Sequence, residues 1–317
     1  MKKLHFAIVL FCVTLSVTLS ITSGFAMPIA SSARSLMPSE IQQLIGVDYR
    51  ALKDSPTAQQ LKEQVLPDNL KELETALKGV GINAQRDLDQ LNFASFRTNK
   101  KGIQTIGVAQ GSFSSKEVVK KMKLHKITPT KYGTTEIFPM DNGLVMTFLD
   151  DNTLAFGTPA SLHSALDTRD GKRASLDSNP QMADQMAAVD GASVWSILDQ
   201  QGTQAMMFSA LGEAAKVADY ESLKKRIIAS RYTMNFQNGV NFDLSVLTAD
   251  SMTAATLATI VKAGMLYKKL NATPIEKTAL DATTVDSDSS NLQLHFKTDD
   301  QKFQSLMHSP LFAAVSH

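Results

Sequence analysis

The sequence predicts an α+β fold made of two tandem related units, each a mostly antiparallel sheet with helices. Three observations carry this. First, two stretches about 140 positions apart share one plan. Phe93 to Thr98, a turn at Asn99-Lys-Lys-Gly102, Ile103 to Phe113 and a helix start at Ser114 form the first. Tyr232 to Gln237, a turn at Asn238-Gly239, Val240 to Thr248 and a helix start at Asp250 form the second. A duplicated supersecondary unit sets architecture before any chemistry. Second, each unit reads strand, helix, strand, strand, helix, strand, the split βαβ or ferredoxin-like order, with an extra hairpin and terminal helix. Third, no Gly-rich phosphate turn accompanies the strands, which favours antiparallel pairing.

In chain order, residues 27–38 are small, polar and bounded by Pro, the composition of a linker. Unit one is expected over 39–175 and unit two over 176–310, with a tail at 311–317. Ile41 to Tyr49 has strand character. Ser55-Pro56 starts a helix, because Ser accepts from an orphan amide and Pro at the first position forfeits no bond. Gly79-Val-Gly81 ends the helical region on either side of Pro67. Ser114 with Glu117 three residues on has the spacing of a capping box. Three short strands follow between Thr134 and Gly157, with turns at Asp141-Asn-Gly143 and Asp150-Asp-Asn152. Thr158-Pro159 opens a helix, and the polar run Asp167 to Ser178 marks the boundary between units.

In unit two, Ala192 to Leu198 is apolar on both faces, as in a strand buried on both sides. Asn238-Gly239 between alternating strands is a strong hairpin signal. Ser251 to Leu270 has the spacing of a long helix with Leu257, Ile260, Val261 and Met265 on one side. Gln301 to Met307 closes the unit. Tyr232, Met234 and Phe236 alternate with polar residues, as do Phe242, Leu244 and Val246, and again Leu292, Leu294 and Phe296. Unit two therefore has one packed and one polar sheet face. The strand Leu144 to Leu149 is apolar on both sides, so the sheet of unit one is expected to be covered twice.

The N-terminus resembles a secretory leader. Lys2-Lys3 precedes an apolar run from Phe6 to Leu19, and Ser23-Gly-Phe-Ala26 has small residues placed for cleavage after Ala26. Residues 1–26 are therefore expected to be a signal peptide. Retention of that segment as a membrane anchor is the alternative. The single Cys, Cys12, lies inside it, so a cleaved chain has neither disulfide nor thiolate chemistry.

The 317 residues are 43% hydrophobic and 20% charged, enough apolar content for a sizeable core. Formal net charge is +1. A near-neutral chain lacks the clustered positive face that nucleic acid requires. Lys116 to Lys126 is the densest basic run, with the pattern of a solvated helix face.

Catalytic signatures are missing: there is no Walker A run, no G-x-S-x-G and no H-E-x-x-H. Ser222-Leu-Lys-Lys225 has S-x-x-K spacing without its companion motifs, so a helical turn is the reading. Asp286-Ser-Asp288-Ser-Ser-Asn291 departs from a calcium loop, with Asn291 and Lys297 where Gly and Glu belong. The histidines His125, His163, His295, His308 and His317 show no ligand spacing, and no metal site or cofactor is expected. Met182, Met186, Met206 and Met207 could supply thioethers to Cu(I), but Met is also ordinary core filler. Trp195, in an apolar strand, is expected to be a core anchor.

Met37-Pro-Ser-Glu-Ile-Gln-Gln-Leu-Ile-Gly-Val-Asp48, Gly81-Ile-Asn-Ala-Gln-Arg-Asp-Leu-Asp89 and Asn152-Thr-Leu-Ala-Phe-Gly-Thr-Pro159 resemble recurring segments of exported bacterial proteins of unknown function. The resemblance implies structural segments and brings no catalytic residues.

The sequence thus points to an exported, non-enzymatic binding or structural protein of the cell envelope. Its contact surface is expected on the polar face of unit two, at Asn235, Asn241, Asp243, His295 and Lys297. Its partner would be an envelope protein or small ligand, and a homo-oligomer is open. A hydrolase with a site between the units is the alternative, and an N-terminally anchored envelope factor a third.

Overall fold

Runs of alternating apolar and polar residues make strands, and runs with helical spacing make the layers that bury their apolar side. A computed structural model describes residues 29–65, 68–98, 102–140, 143–211 and 220–310, together with Phe312. The leader, Cys12, Pro67, the turn residues 99–101 and 141–142, and His317 lie outside the described residues.

The strands are β1 (Ile41–Asp48), β2 (Leu88–Thr98), β3 (Gly102–Gly111), β4 (Thr130–Tyr132), β5 (Thr135–Pro139), β6 (Val145–Phe148), β7 (Thr153–Gly157), β8 (Val194–Leu198), β9 (Ile227–Asn235), β10 (Val240–Thr248), β11 (Thr283–Asp288) and β12 (Asn291–Thr298). The helices are α1 (Ser31–Leu36), α2 (Tyr49–Lys53), α3 (Pro56–Val65), α4 (Asp68–Gly79), α5 (Ala84–Asp87), α6 (Ser115–Leu124), α7 (Pro159–Arg169), α8 (Pro180–Ala187), α9 (Gln200–Leu211), α10 (Tyr220–Lys224), α11 (Ser251–Leu270), α12 (Pro274–Asp281) and α13 (Asp300–Met307). Helices and an antiparallel sheet make this an α+β fold.

The strands form one 12-stranded sheet, ordered β11-β12-β10-β9-β8-β1-β2-β3-β7-β6-β5-β4. Its centre is the β1–β8 pair, where Leu44 faces Ile197 and Gly46 faces Trp195. Outward from that seam the order repeats: β1-β2-β3-β7-β6 on one side, β8-β9-β10-β12-β11 on the other. Because β1 and β8 run antiparallel, the two halves are related by an approximate two-fold axis through the seam. The β4–β5 hairpin is the extra piece of the first half.

Two expectations are corrected. The split βαβ order holds along the chain but not across the sheet. A βαβ crossover joins parallel strands, whereas β1 and β2 pair antiparallel, as do β2 with β3 and β3 with β7. The helices after β1 fold back over one face, and the chain returns as the neighbouring strand. The stretch 27–38 is not a linker where it is described. Ile29, Ala33, Leu36 and Met37 are buried, and Pro38 bridges to Ser175. Leu176, Met182, Val189 and Ala192, which precede β8 in sequence, share one core cluster with Leu44 and Phe96 of the first half and with Trp195 and Ile197 of the second.

Side-chain parity divides the sheet into two faces. One is covered along its whole width. There α4 and α6 pack on Leu91, Phe93, Leu154 and Phe156. Next, α13 lies on Val194, Met234, Val240 and Phe296, and α9 and α11 on Val246, Val285 and Leu292. The other face is covered only over the first half and the seam, by α1, α7, α8 and Leu176 on Leu44, Phe96, Ile106, Val108 and Ile197. The first half is thus sandwiched, as its two-sided apolar strands require, while most of the second half presents a bare polar face.

Several helix ends follow local chemistry. Thr158 Oγ1 accepts from Ser161 N at 3.2 Å and Asp250 Oδ1 from Thr253 N at 2.9 Å. Ser114 precedes α6 as expected but makes no capping hydrogen bond. Its neighbour Ser115 takes over the entry, donating from N to Asp151 O and from Oγ to Asp151 Oδ1. The capping box is instead at Thr273 and Glu276, at the start of α12.

Candidate binding surface

The uncovered face is built by period-2 alternation on three consecutive strands. Register places Thr233, Asp243 and His295 in one row across β9, β10 and β12, and Asn235, Asn241 and Lys297 in the next. Arg231, Ser245 and Gln293 form a third row, continued by Asp286 on β11. All five residues singled out from the sequence therefore share one side of the sheet.

Their environments differ. His295 Nδ1 contacts Asp243 Oδ1 directly, between two half-exposed side chains. Asn235 is tied into the scaffold, its Oδ1 accepting from Ser193 N at 2.9 Å. Asn241 reaches Gln237 O at 3.5 Å. Lys297 is exposed and forms no ion pair with a described residue. Arg231 Nη1 donates to Gln185 Oε1 of α8 at 2.7 Å, where α8 borders the patch. Burial lowers the Arg231 pKa from its ordinary value.

The patch offers mixed donors and acceptors with both charge signs. It is suited to recognition by hydrogen bonding. His295 has a carboxylate partner and no hydroxyl or thiol bonded to it among the described residues.

Other residues weighed from the sequence go elsewhere. Met182 belongs to one core cluster and Met207 to another, so the methionines do not converge. Trp195 is buried at the seam. Asp286 to Asn291 covers the end of β11, the turn at Ser289 and Ser290, and the first residue of β12, with Ser289 at φ 52. Ser222 is exposed on α10 and Lys225 in the turn after it. The His163 ring stacks on Tyr132, centroids 4.0 Å apart. Among the described residues no group of three or more His, Cys, Asp or Glu is placed to hold a metal ion. Nor is any helix long and apolar enough to cross a membrane.

Two features escaped the sequence reading. One is a groove of about 970 Å³ between α6 and the β4–β5–β6 edge. The other is a polar row on the face that carries Phe96 and Val108: Gln90, Gln110 and Thr153 align across β2, β3 and β7. Beside it both amide atoms of Asn92 are buried without a hydrogen-bond partner among the described residues.

No family model and no curated protein matches the chain. Solved structures of TP0453 are similar in arrangement. Crystal form I superposes with a TM-score of 0.47 at 9% identity, covering 89% of this chain and 96% of that one. Crystal form III gives 0.48 at 6% identity, covering 86% and 96%.

Proposed function

We propose that the protein is an exported, non-enzymatic binding protein of the cell envelope that meets a polar partner through the open face of its second half. One observation carries this reading. A three-strand patch of polar side chains lies bare on a sheet whose remaining faces are covered by helices. A sheet face with no partner layer needs a polar surface to stay in water, and a contiguous one is also a rigid recognition platform.

Rigid strands fix the spacing of the contact groups. Asn241 and Lys297 face each other across β10 and β12, and Asp243 and His295 do so one row on. At the seam β1 and β8 are hydrogen-bonded neighbours; a hydrolase with a site between the halves is the alternative reading.

A photo-crosslinker at Asn241 tests the reading. It should give discrete adducts in envelope extract, suppressed by His295→Ala/Lys297→Ala, while one at Thr256 on the opposite layer should not. Equal adducts from both positions, or adducts indifferent to the double substitution, would remove this face as the contact surface.

A further inference from the structure

The groove beside α6 has its own chemistry, separate from the open face. Helix α6 contributes Lys116, Val119, Lys120, Lys123 and Leu124, positions that share one side at helical spacing. The opposite wall is the β4–β5 hairpin with Lys131 and Glu136, and Arg169 at the end of α7 closes one side. Phe138 and Phe148 are the apolar floor. Five cationic side chains thus surround the groove against a single carboxylate, Glu136. Lys131 faces Glu136 in register but makes no ion pair with it. Lys116, Lys120 and Lys123 likewise pair with no described carboxylate. Arg169 is held by Thr135 Oγ1 at 2.9 Å and by Asp170.

In a chain with formal net charge +1, the four lysines around this concave site are left without an ion-pair partner among the described residues. We infer that the groove docks an acidic, partly apolar peptide segment of a partner protein. Three features select that occupant. The cations line a ten-residue helix, about 15 Å long, which exceeds a single small anion and matches about five extended residues. The floor is apolar, so alternating acidic and apolar side chains meet rim and floor in turn. Strand β5 pairs with β6 only at Phe138–Met146 and Pro139–Val145. Beyond them the link is Thr147 Oγ1 donating to Glu136 O at 2.8 Å, which leaves an open edge beside the floor. A bilayer surface is disfavoured, because the floor is recessed: Phe138 is 2% exposed.

The probe is a fluorescent peptide of four Glu-Leu repeats, titrated into the full chain and read by anisotropy. Saturable binding that weakens with added salt is expected. Lys120→Glu/Lys123→Glu should weaken it about tenfold or more. Lys225→Glu/Lys277→Glu, the same charge change away from the groove, should leave it within about twofold. Leu124→Ser alters a side chain that is 74% exposed, so it should weaken binding without loss of fold and serves if the double reversal does not fold. The inference fails if an all-Glu peptide binds equally well, or if both reversals act alike. It fails also if millimolar inorganic phosphate displaces the probe completely, or if phosphatidylglycerol vesicles bind while the peptide does not.

Discussion

The indole of Trp195 occupies the space above Gly46 on the neighbouring strand, so close that a Cβ on Gly46 would sit 2.2 Å from indole Cε2. The large ring fills what the missing side chain leaves, and it does so at the pair of strands that joins the halves. Gly107 and Phe156 repeat the device in the first half, with 2.1 Å to Phe156 Cζ. Gly46→Ala is therefore expected to cost about 2 kcal/mol by overpacking. The same change should cost less in a Trp195→Leu background. Urea midpoints of the four chains of this cycle measure the coupling; additive losses would show that ring and glycine are independent.

The bare face and the packed face should respond differently to truncation. Asn241→Ala and Lys297→Ala are expected to shift stability by no more than about 0.5 kcal/mol. Leu292→Ala, on the same β10–β12 pair but buried under α11, should cost about 3 kcal/mol. Chemical denaturation of the three variants decides whether the parity assignment holds.

Helix entry gives a second contrast. Thr273→Ala breaks a reciprocal cap with Glu276 and should lose about 1 kcal/mol. Ser114→Ala removes a hydroxyl that caps nothing and should be neutral within about 0.5 kcal/mol. A thermal shift for Ser114→Ala as large as that for Thr273→Ala would contradict the observed geometry.

Asn92 is fully buried, with neither amide atom bonded among the described residues. A buried polar group without a partner destabilises by about 1–3 kcal/mol. Asn92→Leu, which keeps the same branched shape with the same number of side-chain heavy atoms, is thus expected to hold or raise the urea midpoint, the opposite of a usual core substitution.

Asp250 caps α11, and its pKa is held below the usual carboxylate range. The Thr253 amide is the main cause, helped by the Thr253 hydroxyl and by Arg226. A carboxyl with a depressed folded-state pKa adds stability above its unfolded value, near 4, and that stability is lost as pH falls through the lower folded value. Asp250→Asn keeps a capping oxygen but should flatten the acid limb of the stability curve, measured by urea midpoints between pH 5 and pH 2.

Local signals carried much of the fold. Asn238 and Gly239 both have positive φ, 60 and 94, as the tight turn between alternating strands demands. The long helix runs from Ser251 to Leu270, as its spacing and Asp250 indicated. The five residues of the polar patch share a face because period-2 alternation is a local property. What stayed hidden depends on distant partners. Ile29, Ala33 and Leu36 look like linker until α7 packs on them. The Thr273-Pro-Ile-Glu276 cap is legible in the sequence, with Thr at the entry, Pro after it and Glu three residues on. The basic groove needed three separated pieces brought together, since Lys116 to Lys123 alone are a solvated helix side and become a rim only opposite Lys131 and Arg169.

Joining two sibling halves through their innermost strands has a cost for either one in isolation. Cut apart, each would expose the backbone of β1 or β8, an unprotected ladder of donors and acceptors in the middle of its own hydrophobic surface. Since that ladder is antiparallel and nearly symmetric, a lone half has a ready substitute for its lost sibling in another copy of itself. The tandem arrangement holds that partner permanently at hand within one polypeptide.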